Sequence, residues 1–184
     1  MKRILWTIFL CSMLVTATAC NSQSIKHVDL EAKLVSFESF EEMEDYASVI
    51  VRVIKEKEEI PVINHEGEIF VSGFTFSKVK VEKVYKDETG TLQEGNSIRV
   101  LENEVYDKQF NMVFHIAGYS MMKEGAPYLL FLTRHIYSDN EEYYVAAGVH
   151  FGTVSLTEDG RTIRGMDDSY FRPFWESAKE KFGE

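Results

Sequence analysis

The sequence predicts a mainly β fold, a small Greek-key barrel of five to six antiparallel strands with a helix at each end. A β-branched run at residues 47–55 predicts a strand, and its two apolar faces are typical of a central position. The apolar–polar alternation at residues 69–85 changes phase twice, between Phe76 and Val79 and between Val81 and Val84. Such changes indicate bulges in the long, bent strand of a small barrel. Helical patterns flank this β-rich part on both sides.

The first helix is predicted at residues 39–46, which have the sequence SFEEMEDY. Ser39 and, three residues later, Glu42 form a capping-box pattern, in which the first turn of a helix is satisfied by its own side chains. Phe40, Met43 and Tyr46 then give this segment one apolar face.

The last helix is predicted at residues 170–182, with Asp168 or Ser169 as its N-cap. Pro173 falls in its first turns, where proline is tolerated, and apolar residues recur every four positions from Phe174 onward.

The other predicted elements are short. They are strands at 97–101, 127–133, 143–149 and 153–156, a turn at 64–68, and a hairpin turn at 158–160 that leads into 161–164. Residues 102–123 follow no regular pattern.

The N-terminus has the layout of an export signal. Lys2 and Arg3 form a positive region, residues 4–15 are apolar and residues 16–19 are small. The apolar run is about a dozen residues long, whereas a membrane-spanning helix needs about 20. The sequence therefore predicts that residues 1–19 are a signal peptide.

The segment from Ala17 to Cys20, ATAC, resembles the lipobox of bacterial lipoproteins. In that family the cysteine receives a diacylglyceryl group and the chain is cut just before it. The resemblance implies a lipidated Cys20 that anchors the protein in the cell membrane, on the extracytoplasmic face, through two or more acyl chains. Residues 20–27 then form a short tether and residues 28–184 a single domain. The alternative is a secreted protein cut at the same place, with Cys20 as a free thiol.

The charge of the chain excludes one class of partner. The formal net charge is −10, and removing a leader with Lys2 and Arg3 makes the remainder more negative still. An acidic surface repels phosphate backbones, so nucleic-acid binding is not expected. Loss of the leader also removes Cys11 and leaves Cys20 as the last cysteine, so the sequence predicts no internal disulfide.

The body of the chain resembles a known barrel family. The segments concerned are ASVIVRVIKEKEE, FTFSKVKVEKVYKDETGTLQEGNSIRVLE, MMKEGAPYLLFLTRH and YYVAAGVHFGTVSL. Their order is similar to bacterial extracellular proteins with the oligonucleotide/oligosaccharide-binding (OB) fold, akin to the amino-terminal domain of tissue inhibitors of metalloproteinases. The resemblance implies an OB-like barrel. Those inhibitors grip the protease metal with a free, disulfide-bonded amino-terminal cysteine, and a lipidated Cys20 departs from this pattern, so inhibition is not carried over.

The sequence contains no nucleophile elbow, phosphate-binding loop or H-E-x-x-H motif. His65 lies in NHEGE, which has the residue types of a metal site, but the pattern indicates a solvated turn. The remaining histidines, His27, His115, His135 and His150, show no paired spacing. We therefore predict no catalytic residue, no metal and no cofactor.

The loop at residues 115–125 offers the strongest candidate surface. Met121 and Met122 are adjacent and must face different ways. One is expected in the core, and the other would form a binding surface with Tyr119, since methionine adapts to varied partners. The alternative is that both methionines are core residues under a long loop.

The sequence thus predicts a membrane-anchored, non-enzymatic binding module for an envelope protein or ligand. Two alternatives stay open at this point: an envelope hydrolase built from converging histidine and acidic residues, and a protein that acts like the metalloprotease inhibitors.

Overall fold

The computed structural model describes residues 24–136, 141–165 and 167–183, and the predicted signal peptide, Cys20 and the first residues of the tether lie outside this part. The strands are β1 (Lys26–Leu30), β2 (Val49–Glu58), β3 (Val62–Glu66), β4 (Ile69–Asp87), β5 (Ser97–Glu102), β6 (Glu104–Asp107), β7 (Met112–Ile116), β8 (Pro127–Ile136), β9 (Glu142–Ala146) and β10 (Thr153–Ser155). The helices are α1 (Phe40–Tyr46) and α2 (Arg172–Phe182), and a 3-10 turn spans Glu158–Gly160. The protein is mainly β, as predicted.

Five strands pair into a closed ring. β2 pairs with β4 and β8, β4 pairs with β5, and β9 closes the ring by pairing with both β5 and β8. The β5–β9 pairing is parallel and the others are antiparallel. β2 therefore lies between two neighbours, which confirms its predicted central position.

Alternate residues of β2 and β8 enter two different cores. Val51 of β2 and Leu130 of β8 belong to a cluster with side chains from all five ring strands, so this cluster fills the inside of the ring. Ile50 and Phe131 point the other way and pack with residues of α1 and α2. Both faces of these two strands are buried, as their continuous apolar sequences predict.

β4 is the long strand that the sequence predicts, and its pairing with β2 is irregular at both predicted phase changes. Its pairing with β2 shifts between Arg52 and Val53, which leaves Glu82 as an extra residue between Val81 and Lys83. At the phase change between Phe76 and Val79 the pairing with β2 also shifts, because Lys55 pairs with Val79 and Lys57 with Lys78, and the extra residue there is Glu56 of β2. β4 pairs with β5 without a shift, and Phe76 lies on the outer face of the strand while Val79 points into the ring.

A second sheet of three strands is missing from the prediction. β1 pairs in parallel with β7, and β7 pairs with β6. β6 and β7 arise from the segment predicted to be irregular. β1 includes Lys26 and His27, which were predicted to belong to the tether. The strand was not predicted because the sequence KHVDL is too polar to indicate one.

The two helix caps differ in outcome. Ser39 caps α1 as predicted, with its Oγ accepting a hydrogen bond from the Glu42 N–H at 3.2 Å. The predicted cap of α2 is wrong, since this helix begins after Phe171 without a side-chain cap. The Asp168 carboxylate instead pairs with Arg161 and Arg172.

Two predicted turns are also corrected. β3 continues to Glu66, so the turn predicted at 64–68 reduces to the residues after it, where Gly67 has a φ of 62°. The predicted hairpin turn at 158–160 is a 3-10 turn, and the chain after it contributes one bridge, between Ile163 and Tyr119.

Candidate functional site

The predicted binding loop is folded into the protein. Tyr119 is 3% exposed and Met122 is 2% exposed, whereas Met121 is half-buried. Met122 packs in the cluster inside the ring. The expectation that one methionine lies in the core is confirmed for Met122. The predicted surface is wrong because Tyr119 is buried.

The loop is held by a buried ion pair that the sequence did not reveal. Lys55 of β2 and Glu102 of β5 are fully buried, and Lys55 Nζ lies 2.9 Å from Glu102 Oε1. Lys55 also donates to the carbonyl of Met122 at 2.6 Å. Glu102 accepts hydrogen bonds from the Met122 N–H at 2.6 Å and the Tyr119 hydroxyl at 2.9 Å, and a further bond from the Ser77 hydroxyl.

In this arrangement the Lys55 ammonium and the Glu102 carboxylate each have several hydrogen-bond or ion-pair partners. A buried carboxylate needs such partners because its desolvation is costly. Burial and the neighbouring Glu102 charge raise the pKa of Tyr119 well above its usual value, so the phenol stays protonated as a donor. The network therefore connects β2, β4, β5 and the loop. Its polar groups form their hydrogen bonds with one another.

The polar network continues to the surface through two histidines. Glu104 of β6 accepts from the Met121 N–H at 3.2 Å and lies 3.0 Å from Nδ1 of His115. Burial raises the pKa of Glu104, although the Met121 N–H and His115 oppose this rise. The His115 ring is buried, and its Nε2 lies 2.8 Å from Nδ1 of the exposed His27. These two histidines are the one pair that the fold brings together.

The other three histidines occupy separate places. His65 Nε2 lies 2.6 Å from the buried Asp107 carboxylate. His135 lies 3.0 Å from the Thr133 hydroxyl. His150 is buried, with Nε2 donating to the carbonyl of Ala117 at 2.7 Å. Two histidines thus lie beside a carboxylate, His65 beside Asp107 and His115 beside Glu104. Within the described ranges, no three His, Cys, Asp or Glu side chains come together as metal ligands.

A surface built around Arg99 has the features of a binding site. Arg99 lies on the outer face of β5, with its guanidinium carbon 4.1 Å from the centre of the Phe76 ring on β4. It forms ion pairs with Glu59, which follows β2, at 2.8 Å, and with Glu141, which precedes β9, at 2.6 Å. The cation is therefore positioned by two strands and by both neighbouring connections.

Three shallow grooves meet at this surface, and Arg99 lines all of them. The exposed Ile60, whose side chain is 87% exposed, lines one groove beside Arg99. Arg99 Nε is buried and has no hydrogen-bond partner among the described residues. We refer to Glu59, Ile60, Lys78, Arg99 and Glu141 as the Arg99 surface.

A separate cleft lies between β10 and α2, with a volume of about 250 Å³. Hydroxyl groups and Trp175 line it, and Arg161 and Arg172 at its rim share the Asp168 carboxylate. Its main charged groups thus pair with each other.

The sequence reasoning missed the Arg99 surface. Arg99 occurs in the short segment SIRVL, where a single charged residue indicates only the exposed face of a strand. The alternation of Phe74 and Phe76 could have indicated this surface. An aromatic ring on the outer face of a strand can be covered by a cation such as an arginine.

Comparison of the chain with protein-family models and with curated proteins found no match. In the parts of the chain that the structure describes, no helix is long and apolar enough to cross a membrane.

Proposed function

We propose that this protein is an extracytoplasmic lipoprotein, anchored by a diacylglyceryl group on Cys20, whose β ring is a small Greek-key, OB-like barrel that binds an envelope protein. The anchor is supported by the apolar leader and the ATAC segment. The barrel is supported by five strands whose pairings close, including one between β5 and β9, which are distant in sequence.

The observation that carries the binding role is the Arg99 surface. In OB barrels, ligands bind on the face of the second and third strands and on the connections beside it. In this ring those strands correspond to β4 and β5, and the connections correspond to those that carry Glu59 and Glu141. An arginine stacked on an aromatic ring is also a common anchor of protein interfaces.

The partner we propose is a protein with a hydrogen-bond acceptor for Arg99 and an apolar side chain for Ile60 at its contact. Each Nη of Arg99 keeps one N–H beyond its ion pair with Glu59 or Glu141, and Ile60 beside it offers an apolar contact. Lys78, which is opposite Arg99 in the β4–β5 register, is a second cation of this surface and lies 3.7 Å from the Glu56 carboxylate.

The test is cross-linking in the bacterium that makes the protein, with a photo-reactive residue in place of Ile60. The matched control carries the same residue at Tyr170, another exposed large side chain, which is 56% exposed and packs beside α2. We expect one dominant protein partner from Ile60 and none from Tyr170. Mass spectrometry of the same material reports the mass on Cys20, which tests the lipid anchor independently.

A second variant tests the arginine. Arg99→Gln in the Ile60 cross-linking chain should reduce the product at least fivefold. Arg52→Gln should leave it unchanged, because Arg52 has similar exposure but pairs with Glu82 elsewhere on the barrel wall. Equal products from Ile60 and Tyr170, or equal products from the two arginine variants, would contradict the proposed binding surface.

A further inference from the structure

The His27–His115 pair joins the first strand to the rest of the protein. β1 is an edge strand that pairs with β7 alone in its sheet. The pairing is supported by hydrogen bonds from the Lys26 N–H to the carbonyl of Asn111 at 3.2 Å and from the Ala117 N–H to the carbonyl of Leu30 at 2.7 Å. The two imidazoles add a side-chain hydrogen bond of 2.8 Å between the two strands.

The surroundings of His115 fix where its protons lie. Its Nδ1 faces two acceptors, the carbonyl of Tyr119 at 2.9 Å and the Glu104 carboxylate at 3.0 Å. A carbonyl oxygen accepts only, so Nδ1 carries a proton. Nε2 of a neutral His115 is then an acceptor, and His27 Nδ1–H donates to it.

A first added proton preserves this bond and a second one breaks it. A protonated His115 donates from Nε2 to the lone pair of His27 Nδ1, and the Glu104 carboxylate balances its charge. When both rings are protonated, two N–H groups face each other at a distance of 2.8 Å and neither can accept. Two cations then also repel each other beside the buried wall of the sheet.

The charged neighbours do not cancel this effect. Asp29, on the same strand, lies opposite His115 in the register, but it is already paired with Arg164 at 3.7 Å. Burial raises the pKa of Glu104, so acidification also removes the carboxylate that balances His115. The groups that face the pair or act on it through Glu104 are Lys26, Asp29, Glu58, Glu102, Glu104 and Arg164.

We propose that β1 is an acid-releasable strap, which double protonation of His27 and His115 detaches from β7. The detached state holds one more proton than the docked state, so each unit of acidification shifts the equilibrium toward release by up to tenfold.

Release would change the reach of the protein from its N-terminal side. Five residues in extended conformation span roughly 16 Å. Detaching β1 therefore adds that length to whatever precedes Ser24 and exposes the edge of β7. This inference concerns β1 and does not depend on the Arg99 surface.

The test is hydrogen exchange of the full chain, followed by mass spectrometry of peptides that contain β1 and Ala117. Protection factors, corrected for the intrinsic pH dependence of exchange, are compared at pH 7.5 and 5.5. We expect the protection of β1 and Ala117 to fall at least fivefold at pH 5.5, while β2 and β8 stay protected.

His27→Asn separates the mechanism from general acid loosening. The asparagine amide occupies the place of Nδ1, donates or accepts as required, and does not titrate. Protection of β1 in this variant should change less than twofold between the two pH values. His65→Gln, which removes a histidine from the Asp107 pair, should keep the fivefold loss.

Unchanged protection in the natural chain would overturn the proposal. An equal loss in the His27→Asn chain would do the same, because β1 would then open without the second imidazole proton. If β1 has low protection in His27→Asn at both pH values, the variant His27→Gln replaces it, since its longer amide also cannot titrate. A fivefold pH-dependent loss of protection in His27→Gln would reject the histidine pair as the cause.

Discussion

Replacing Lys55 by methionine tests whether the buried network stabilises the fold. The methionine fills most of the space of the lysine stem, so the change removes the cation and little volume. It leaves a fully buried Glu102 carboxylate with three donors, from Ser77, Tyr119 and the Met122 N–H, and it leaves the Met122 carbonyl without its lysine. Breaking a buried ion pair on one side costs about 3–5 kcal/mol. Because three donors remain, we expect a loss of about 3 kcal/mol.

The assay is urea unfolding of the purified protein at pH 7, with thermal unfolding as a second measurement. For a chain of this size, a loss of 3 kcal/mol lowers the melting temperature by roughly 6–12 °C. Arg52→Met is the matched control on the same strand, since Arg52 pairs with Glu82 at 3.0 Å and both side chains are about one-third exposed. Such a pair contributes about 0–1 kcal/mol.

A double-mutant cycle with Glu102→Gln separates the ion pair from packing. The coupling energy between Lys55→Met and Glu102→Gln should be about 2 kcal/mol or more, because each variant alone strands the other charge. A loss in Lys55→Met no larger than in Arg52→Met would refute the reasoning. A coupling energy near zero would show that the two charges do not act on each other.

Two further predictions concern His150 and Gly148. Burial lowers the pKa of His150 below its usual value, so near pH 6.5 the unfolded chain binds a proton that the folded chain does not, and the free energy of unfolding should fall as the pH drops through this range. His150→Gln keeps a donor for the carbonyl of Ala117 and should flatten this dependence in urea unfolding at pH 7.5 and 5.5, whereas an unchanged slope would exclude His150 as its source. Gly148→Ala should lose clearly more stability than Gly67→Ala. Both glycines have a φ near 60°, but a Cβ at Gly148 would lie 2.6 Å from the carbonyl oxygen of Val35, whereas a Cβ at Gly67 would have no neighbour within 4 Å. Gly67→Ala should cost roughly 1–2 kcal/mol from its backbone conformation alone, and equal losses in thermal unfolding would contradict the crowding at Gly148.

Sequence patterns predicted correctly those features that depend on interactions between residues close together in the chain. The cap at Ser39 depends on residues within one turn, and the central position of β2 depends on two apolar faces within one strand, so both could be predicted. The cap of α2 failed for a reason outside that segment. Asp168 is engaged by Arg161 and Arg172, and the sequence around the helix gives no sign of the competing arginine before it.

The candidate sites could not be predicted because their residues come from different strands, which only the closure of the ring brings together. Lys55 lies in the charged run KEKEE, where its side chain looks like its exposed neighbours, and Glu102 lies in another strand. Sequence periodicity identifies which residues share a face of one strand, but it does not identify which strand lies across the interior.

β2 and β5 are not neighbours in the ring, and the Lys55–Glu102 ion pair joins them across its interior. This placement explains why the loop with Tyr119 and Met122 is buried rather than exposed. The carboxylate of Glu102 accepts from both loop residues, so the loop must fold over the ring to satisfy a charge that β5 carries inward. A buried charge and an aromatic residue in a loop therefore have to be interpreted together, since the first requires the donors that the second supplies.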